Sequence, residues 1–180
     1  MDLKSAYARC NGCPFPRQCV VRGHGPDEAD QVIVGQAPGE EEVLKGIPFV
    51  GDAGDRLNKA LRAAPIERAR IYITNAVGCQ PPNNQSPPPE GALEACHDRL
   101  ITEVRRRMPR KVLALGRIAA KELTSRLPVI AKDRQRDLWP HHLDNHTMVR
   151  VTYHPSPLAL NINPERPRHF VEDVRWLRES

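Results

Sequence analysis

Aromatic side chains are scarce in this chain: three Phe, three Tyr and two Trp make up 4% of 180 residues. They cannot fill an interior, so the core of a single domain of this length has to be aliphatic. Long apolar runs are missing as well. No segment approaches the roughly 20 residues that span a bilayer, and the opening MDLKSAYARC has no apolar leader stretch. The expectation is a cytoplasmic protein with no membrane partner. Glycine-rich phosphate motifs are also absent: neither GxxxxGK[ST] nor GxGxxG occurs, which removes the P-loop and the dinucleotide fingerprint. No internal repeat and no second domain is visible.

Lys and Arg number 27 against 22 Asp and Glu, with a pI near 9.1. A modest basic excess of this kind suits a polyanionic partner. The five cysteines of a cytoplasmic chain point to metal or redox chemistry rather than disulfides.

Four runs read as strands: QVIVGQ (31–36), IYITNAV (71–77), KVLALG (111–116) and TMVRVTYHP (147–155). Each is apolar nearly throughout, as a strand covered on both faces should be. Helical spacing marks AGDRLNKALRAA (53–64), PEGALEACHDRLITEVRRR (89–107), GRIAAKELTSRL and RHFVEDVRWLRE. Pro89 and Glu90 suit the first turn of the second helix. The alternation predicts a three-layer α/β/α sandwich around a central four-stranded, mainly parallel sheet. Ligands of such sheets bind at the carboxyl ends of the strands, which here carry GQAPGEE, NAVGCQPP, LGR and HPSPL. The segment QPPNNQSPPP (80–89) is too rich in proline for helix or strand and is expected to be a loop.

Cys10 and Cys13 form a CxxC, Cys79 follows the second predicted strand, and Cys96 lies in the next helix. Four thiolates from two distant segments suit a zinc ion or an iron–sulfur cluster, and spacing does not choose between them. Buried, inert cysteines are the bland alternative. Cys19 exceeds what either centre needs and is read as a non-ligand. Among the strand-end residues, Phe49 could be core or a stacking platform for a planar ligand. Asn75 could satisfy a turn or read the N–H and C=O edge of a pyrimidine. His154 is a candidate donor or acid–base group. Leu158, beyond two stiffening prolines, could be core or a wedge in a base stack.

Together these segments resemble the uracil-DNA glycosylase superfamily, and most closely its iron–sulfur members, family 4. The resemblance covers nearly the whole chain, through the CxxC start, GQAPGEEEVLKGIPFVGDAG, ITNAVGCQPP, Cys96 and HPSPL. It implies that one domain, residues 1–180, with an N-terminal cluster-binding arm, flips uracil out of DNA and hydrolyses its N-glycosidic bond. The implied cofactor is a four-iron, four-sulfur cluster on Cys10, Cys13, Cys79 and Cys96. Phe49 then matches the aromatic under the flipped uracil, and Asn75 the amide that reads its N3–H and O4 edge. Glu42 matches an acid that crowds C5, His154 the histidine on O2, and Leu158 the wedge. Gln36 and Ala37 complete the uracil pocket. The implied partners are uracil-containing DNA, single- or double-stranded, and free uracil as product, bound by a monomer associated with the nucleoid.

The chain departs from the family at Gln36, where a glutamate is usual. Glutamine cannot act as a general base, although its amide can orient a water. Glu40 or Glu42 could take over, or the reaction could lean on stabilising the leaving group. The alternative function is a catalytically weak protein that binds uracil or abasic DNA on the same scaffold. The loop 80–89 holds no histidine, so covalent trapping of the sugar is not expected.

Overall fold

The computed structural model describes residue 13 and residues 20–124 and 141–179. Among them a five-stranded sheet has the order β2-β1-β3-β5-β4. Its strands are β1 (Gln31–Gly35), β2 (Tyr72–Asn75), β3 (Lys111–Leu115), β4 (His141–His142) and β5 (Met148–Thr152). The helices are α1 (Glu40–Lys45), α2 (Asp52–Ala63), α3 (Glu90–Arg107), α4 (Arg117–Thr124), α5 (Pro157–Leu160) and α6 (Arg166–Trp176).

The four strands expected from the sequence pair in parallel. To them the fold adds β4, which runs antiparallel to β5 at the edge. Two polar residues carry no strand periodicity, so this edge strand was not legible in advance. Period-two side-chain geometry explains the three layers. Val32, Val34, Val112, Ala114, Val149 and Val151 point to one face, where α3 and α4 supply Leu93, Leu100, Val104, Ala119 and Leu123. Ile33, Ile73, Leu113 and Leu115 point to the other face, against Leu57 and Leu61 of α2 and Phe170, Val174 and Trp176 of α6. Both faces are apolar, and that is why the strands read as continuous hydrophobic runs.

The chain leaves β1 towards β2 on one side and later returns to β3 on the other. The carboxyl end of β1 is therefore a switch point, where the connections diverge and open a crevice. Register places Gly35 at the end of β1 directly beside Asn75 at the end of β2. Pairing continues one step further, with the N–H groups of Ala76 and Val77 donating to the carbonyls of Gly35 and Gln36 at 2.8 and 3.0 Å.

The acids of GQAPGEE form the first turn of α1 rather than a loop, with Gly39 as N-cap. Carboxylates are favoured there by the helix dipole. The segment 80–89 contains one short 3-10 turn, Pro82–Asn84, and is otherwise loop, as its prolines require. No helix among the described residues is long and apolar enough to cross a membrane.

Candidate active site

Three side chains meet at the β1–β2 strand ends. A Cβ on Gly35 would lie 2.6 Å from Phe49 Cε2, and closer still to Phe49 Cζ and Asn75 Oδ1. Only glycine leaves room for the ring and the amide to approach each other here. The Phe49 ring also faces the His154 imidazole, with centroids 6.3 Å apart and planes inclined by 40°. Phe49, Asn75 and His154, which are far apart in sequence, thus flank one recess.

Phe49 reaches this place through an unusual backbone. Its φ is 55°, a left-handed conformation that costs a non-glycine residue about 1–3 kcal/mol unless its surroundings impose it. Two side chains impose it. Glu42 Oε1 accepts from the N–H groups of Val50 and Gly51 at 2.8 Å each, while Oε2 accepts from Gly39 N–H at 2.9 Å. One carboxylate therefore ties the start of α1 to the turn after Phe49. On the other side Arg68 donates to Pro48 O at 2.7 Å and to Asn58 Oδ1 at 2.9 Å. Glu42 makes one half of a capping box, while Gly39 has no side chain to return the bond. None of these contacts of Glu42 and Arg68 was legible in the sequence.

Asn75 is 2% exposed, yet its Oδ1 has no hydrogen-bond partner. A buried amide oxygen left without a donor costs about 1–3 kcal/mol, so the fold keeps an open acceptor here at a cost in stability. His154 is half-buried, and its Nδ1 accepts from Ser156 N–H at 3.2 Å. A ring that accepts at Nδ1 carries its proton on Nε2 when neutral. Burial pulls this imidazole below its ordinary pKa, and the Glu42 charge opposes the shift only in part. The neutral Nε2–H tautomer is therefore the resting form at neutral pH.

Gln36, at the tip of β1, pairs with a residue the sequence reading did not single out. Its Nε2 donates to Ser86 Oγ at 3.1 Å, and Ser86 Oγ lies 3.3 Å from Gln36 Oε1. The proline-rich loop thus folds back onto the first motif, and Ala37 is partly buried against the core. Leu158 is 84% exposed on α5, whose N-cap Ser156 accepts from Ala159 N–H at 3.3 Å. Leu158 is therefore not a core residue, and its exposure is shared by Leu44, Met108 and Ile162.

Three of the four candidate metal ligands are described. Cys79 and Cys96 are buried in the core cluster that α3 forms with the sheet, and Cys13 packs against it. None of the three is in a disulfide. Cys10 and Cys19 lie outside the described residues. Thiols are soft donors of the type that suits a thiolate-bound centre. No group of three or more candidate ligands within metal-binding reach occurs among the described residues.

The switch point of this open α/β sheet thus carries a buried amide oxygen without a partner, an imidazole and an aromatic ring. The chain belongs to the uracil DNA glycosylase superfamily, whose family model matches residues 22–178. It is 35% identical to the Type-4 uracil-DNA glycosylase of Archaeoglobus fulgidus over 99% of this chain and 91% of that protein. It is 38% identical to the Type-4 uracil-DNA glycosylase of Thermotoga maritima over 92% of this chain and 86% of that protein. For the Type-4 uracil-DNA glycosylase of Sulfurisphaera tokodaii the identity is 33% over 98% of this chain and 82% of that protein.

Proposed function

We propose that this protein is a monofunctional uracil-DNA glycosylase that flips uracil from DNA and hydrolyses its N-glycosidic bond, leaving an abasic site and free uracil. The observation that carries the reading is the unpartnered Oδ1 of buried Asn75 beside the Phe49 ring. Uracil N3–H supplies the missing donor, O4 accepts from the amide NH2, and the base lies against Phe49.

As the glycosidic bond breaks, negative charge collects on uracil O2. The Nε2–H of neutral His154 donates to that oxygen, and backbone N–H groups at Gln36 and Ala37 add to the stabilisation. A neutral donor suits this task because it need not give up its proton. Water attacks the electron-deficient sugar carbon and loses its proton to solvent, the electron pair of the broken bond leaving with the base. Gln36, held by Ser86, orients that water but cannot deprotonate it. Glu42 is poorly placed to replace the missing base, since three N–H groups already occupy its carboxylate. Leaving-group stabilisation therefore carries most of the rate. Leu158 fills the gap left in the base stack, and the basic surface holds phosphates in a salt-dependent manner.

Residues 1–180 act as one domain and as a monomer in the cytoplasm, on nucleoid DNA. Cys10, Cys13, Cys79 and Cys96 would hold a four-iron, four-sulfur cluster, which would tie the N-terminal segment to the β2–α3 connection through Cys79 and to α3 through Cys96. Replacing Cys96 with Ser should abolish bound iron and acid-labile sulfide and lower the unfolding temperature. Full iron retention would refute that ligand set.

The decisive experiment treats uracil-containing oligonucleotides with the protein and then with alkali. Scission at uracil is expected, and intact strands across salt conditions and sequence contexts overturn the activity. The Gln36–Ser86 pairing favours one alternative, binding of uracil-containing or abasic DNA without turnover. That alternative predicts intact strands together with tighter binding than to ordinary DNA.

A further inference from the structure

β2 is an edge strand, and the outward groups of an edge strand need partners from elsewhere. Residues 20–24 supply some of them. His24 N–H donates to Ile73 O at 2.8 Å, Ile73 N–H donates to His24 O at 2.9 Å, and Val21 N–H donates to Gly78 O at 2.7 Å. Between these anchors stand the carbonyls of Asn75 and Ala76. One side chain takes both: Arg99 Nη2 donates to Asn75 O and Ala76 O at 2.7 Å each.

The other arm of the same guanidinium is fixed as well. Arg99 Nη1 donates to Glu103 Oε2 at 3.0 Å and to Thr74 Oγ1 at 3.3 Å, and Thr74 Oγ1 donates to Glu103 Oε2 at 2.8 Å. Arg99 is 2% exposed, and Glu103 and Thr74 are 1% exposed each. A buried ion pair is a weak device for stability, because apolar residues of similar volume often do as well. Its advantage here is geometric. A planar, rigid fork holds two successive carbonyls and the strand's own threonine in one arrangement, which a lysine ammonium cannot reproduce.

We infer that Arg99 is the positioning residue for Asn75, fixing the backbone of the strand end so that the buried amide faces the polar edge of the base. Thr74 and Glu103 hold the guanidinium in register. This inference rests on the reading of Asn75 as the base-recognising amide. It predicts that disturbing Arg99 damages recognition through Asn75 and by no other route.

A double-mutant cycle tests this, with single-turnover excision of uracil as the readout and thermal unfolding followed in parallel. Arg99→Lys retains a positive charge but has one nitrogen, which cannot serve both the two carbonyls and the Thr74–Glu103 pair. It should slow excision roughly 10- to 100-fold, the worth of charge-assisted hydrogen bonds. In the Asn75→Ala background the same substitution should have no further effect. Thr74→Val, which preserves shape and both charges, should give a smaller loss that also vanishes in that background. Losses that multiply in the double variants, or an Arg99→Lys rate equal to wild type, overturn the positioning role while leaving the glycosylase intact. A wild-type protein inert on uracil-containing DNA instead overturns the functional reading beneath it.

Discussion

Gly35→Ala is the most direct probe of the recess at the strand ends. A methyl group there would lie 2.6 Å from Phe49 Cε2 and closer still to Phe49 Cζ and Asn75 Oδ1. Carbon contacts in proteins settle near 3.5–4.0 Å, so the ring and the amide must each withdraw by about 1 Å. Neither can do so freely. Phe49 sits on a turn clamped by Glu42 and Arg68, and the Asn75 backbone is held by Arg99. Overpacking of this kind costs about 1–3 kcal/mol of stability. A shift of about 1 Å in groups that orient a substrate costs on the order of 100-fold in rate. Gly46→Ala is the matched control. Gly46 has φ +69° with nothing within 4 Å of a Cβ, so an alanine there suffers left-handed strain of about 1–2 kcal/mol without intruding on the recess. Single-turnover excision and thermal unfolding should show similar loss of stability in the two variants, with the rate collapsing only in Gly35→Ala. Equal rates in both would refute the placement of the recess.

His154→Ala should slow excision on the order of 100-fold or more, as loss of a donor to a developing anion does, and a near-wild-type rate would remove His154 from the chemistry. Burial holds the folded pKa of this imidazole below its unfolded value, so the unfolded chain binds the extra proton more readily. Stability should therefore fall as pH drops through the unfolded value near 6.5 towards the folded one. A His154→Asn variant should lack that part of the acid slope in chemical denaturation series, and an unchanged slope would contradict it. Gln36→Glu introduces a carboxylate able to take the water's proton and should raise the rate at neutral pH, roughly 10-fold or more; an unchanged rate would show that water activation is not limiting. Leu158→Ala should leave the unfolding temperature within experimental error, since the side chain is 84% exposed. It should weaken excision from duplex far more than from single strands, and equal losses on both would argue against a wedge.

Much of the fold was legible because its causes are local. Runs such as VIVG and VLAL are apolar at every position, which only a strand covered on both faces requires. The alternation with amphipathic helices then left a parallel sheet with its ligand crevice at the strand ends. The candidate residues at those ends were likewise visible as short motifs. Their company was not. The polar pair β4 has no apolar periodicity to announce it, and α1 is too short for its acids to look helical.

The sequence by itself determined the apolar core positions, the strand–helix order and the motif residues at each strand end, because these follow from side-chain periodicity and residue chemistry. Only the tertiary structure decided what those residues touch. Gln36 meets Ser86 across 50 positions, and the Glu42 carboxylate is spent on two separate loops. Arg99, which sits in a helix whose charges look solvated when read as a string, is buried against the edge of β2. Asn75 Oδ1 ends without a partner, although an isolated asparagine is most simply read as satisfying its own turn. The physical reason is common to all of these. Hydrogen-bond partners and burial are set by chain closure over long separations, which local propensity does not encode.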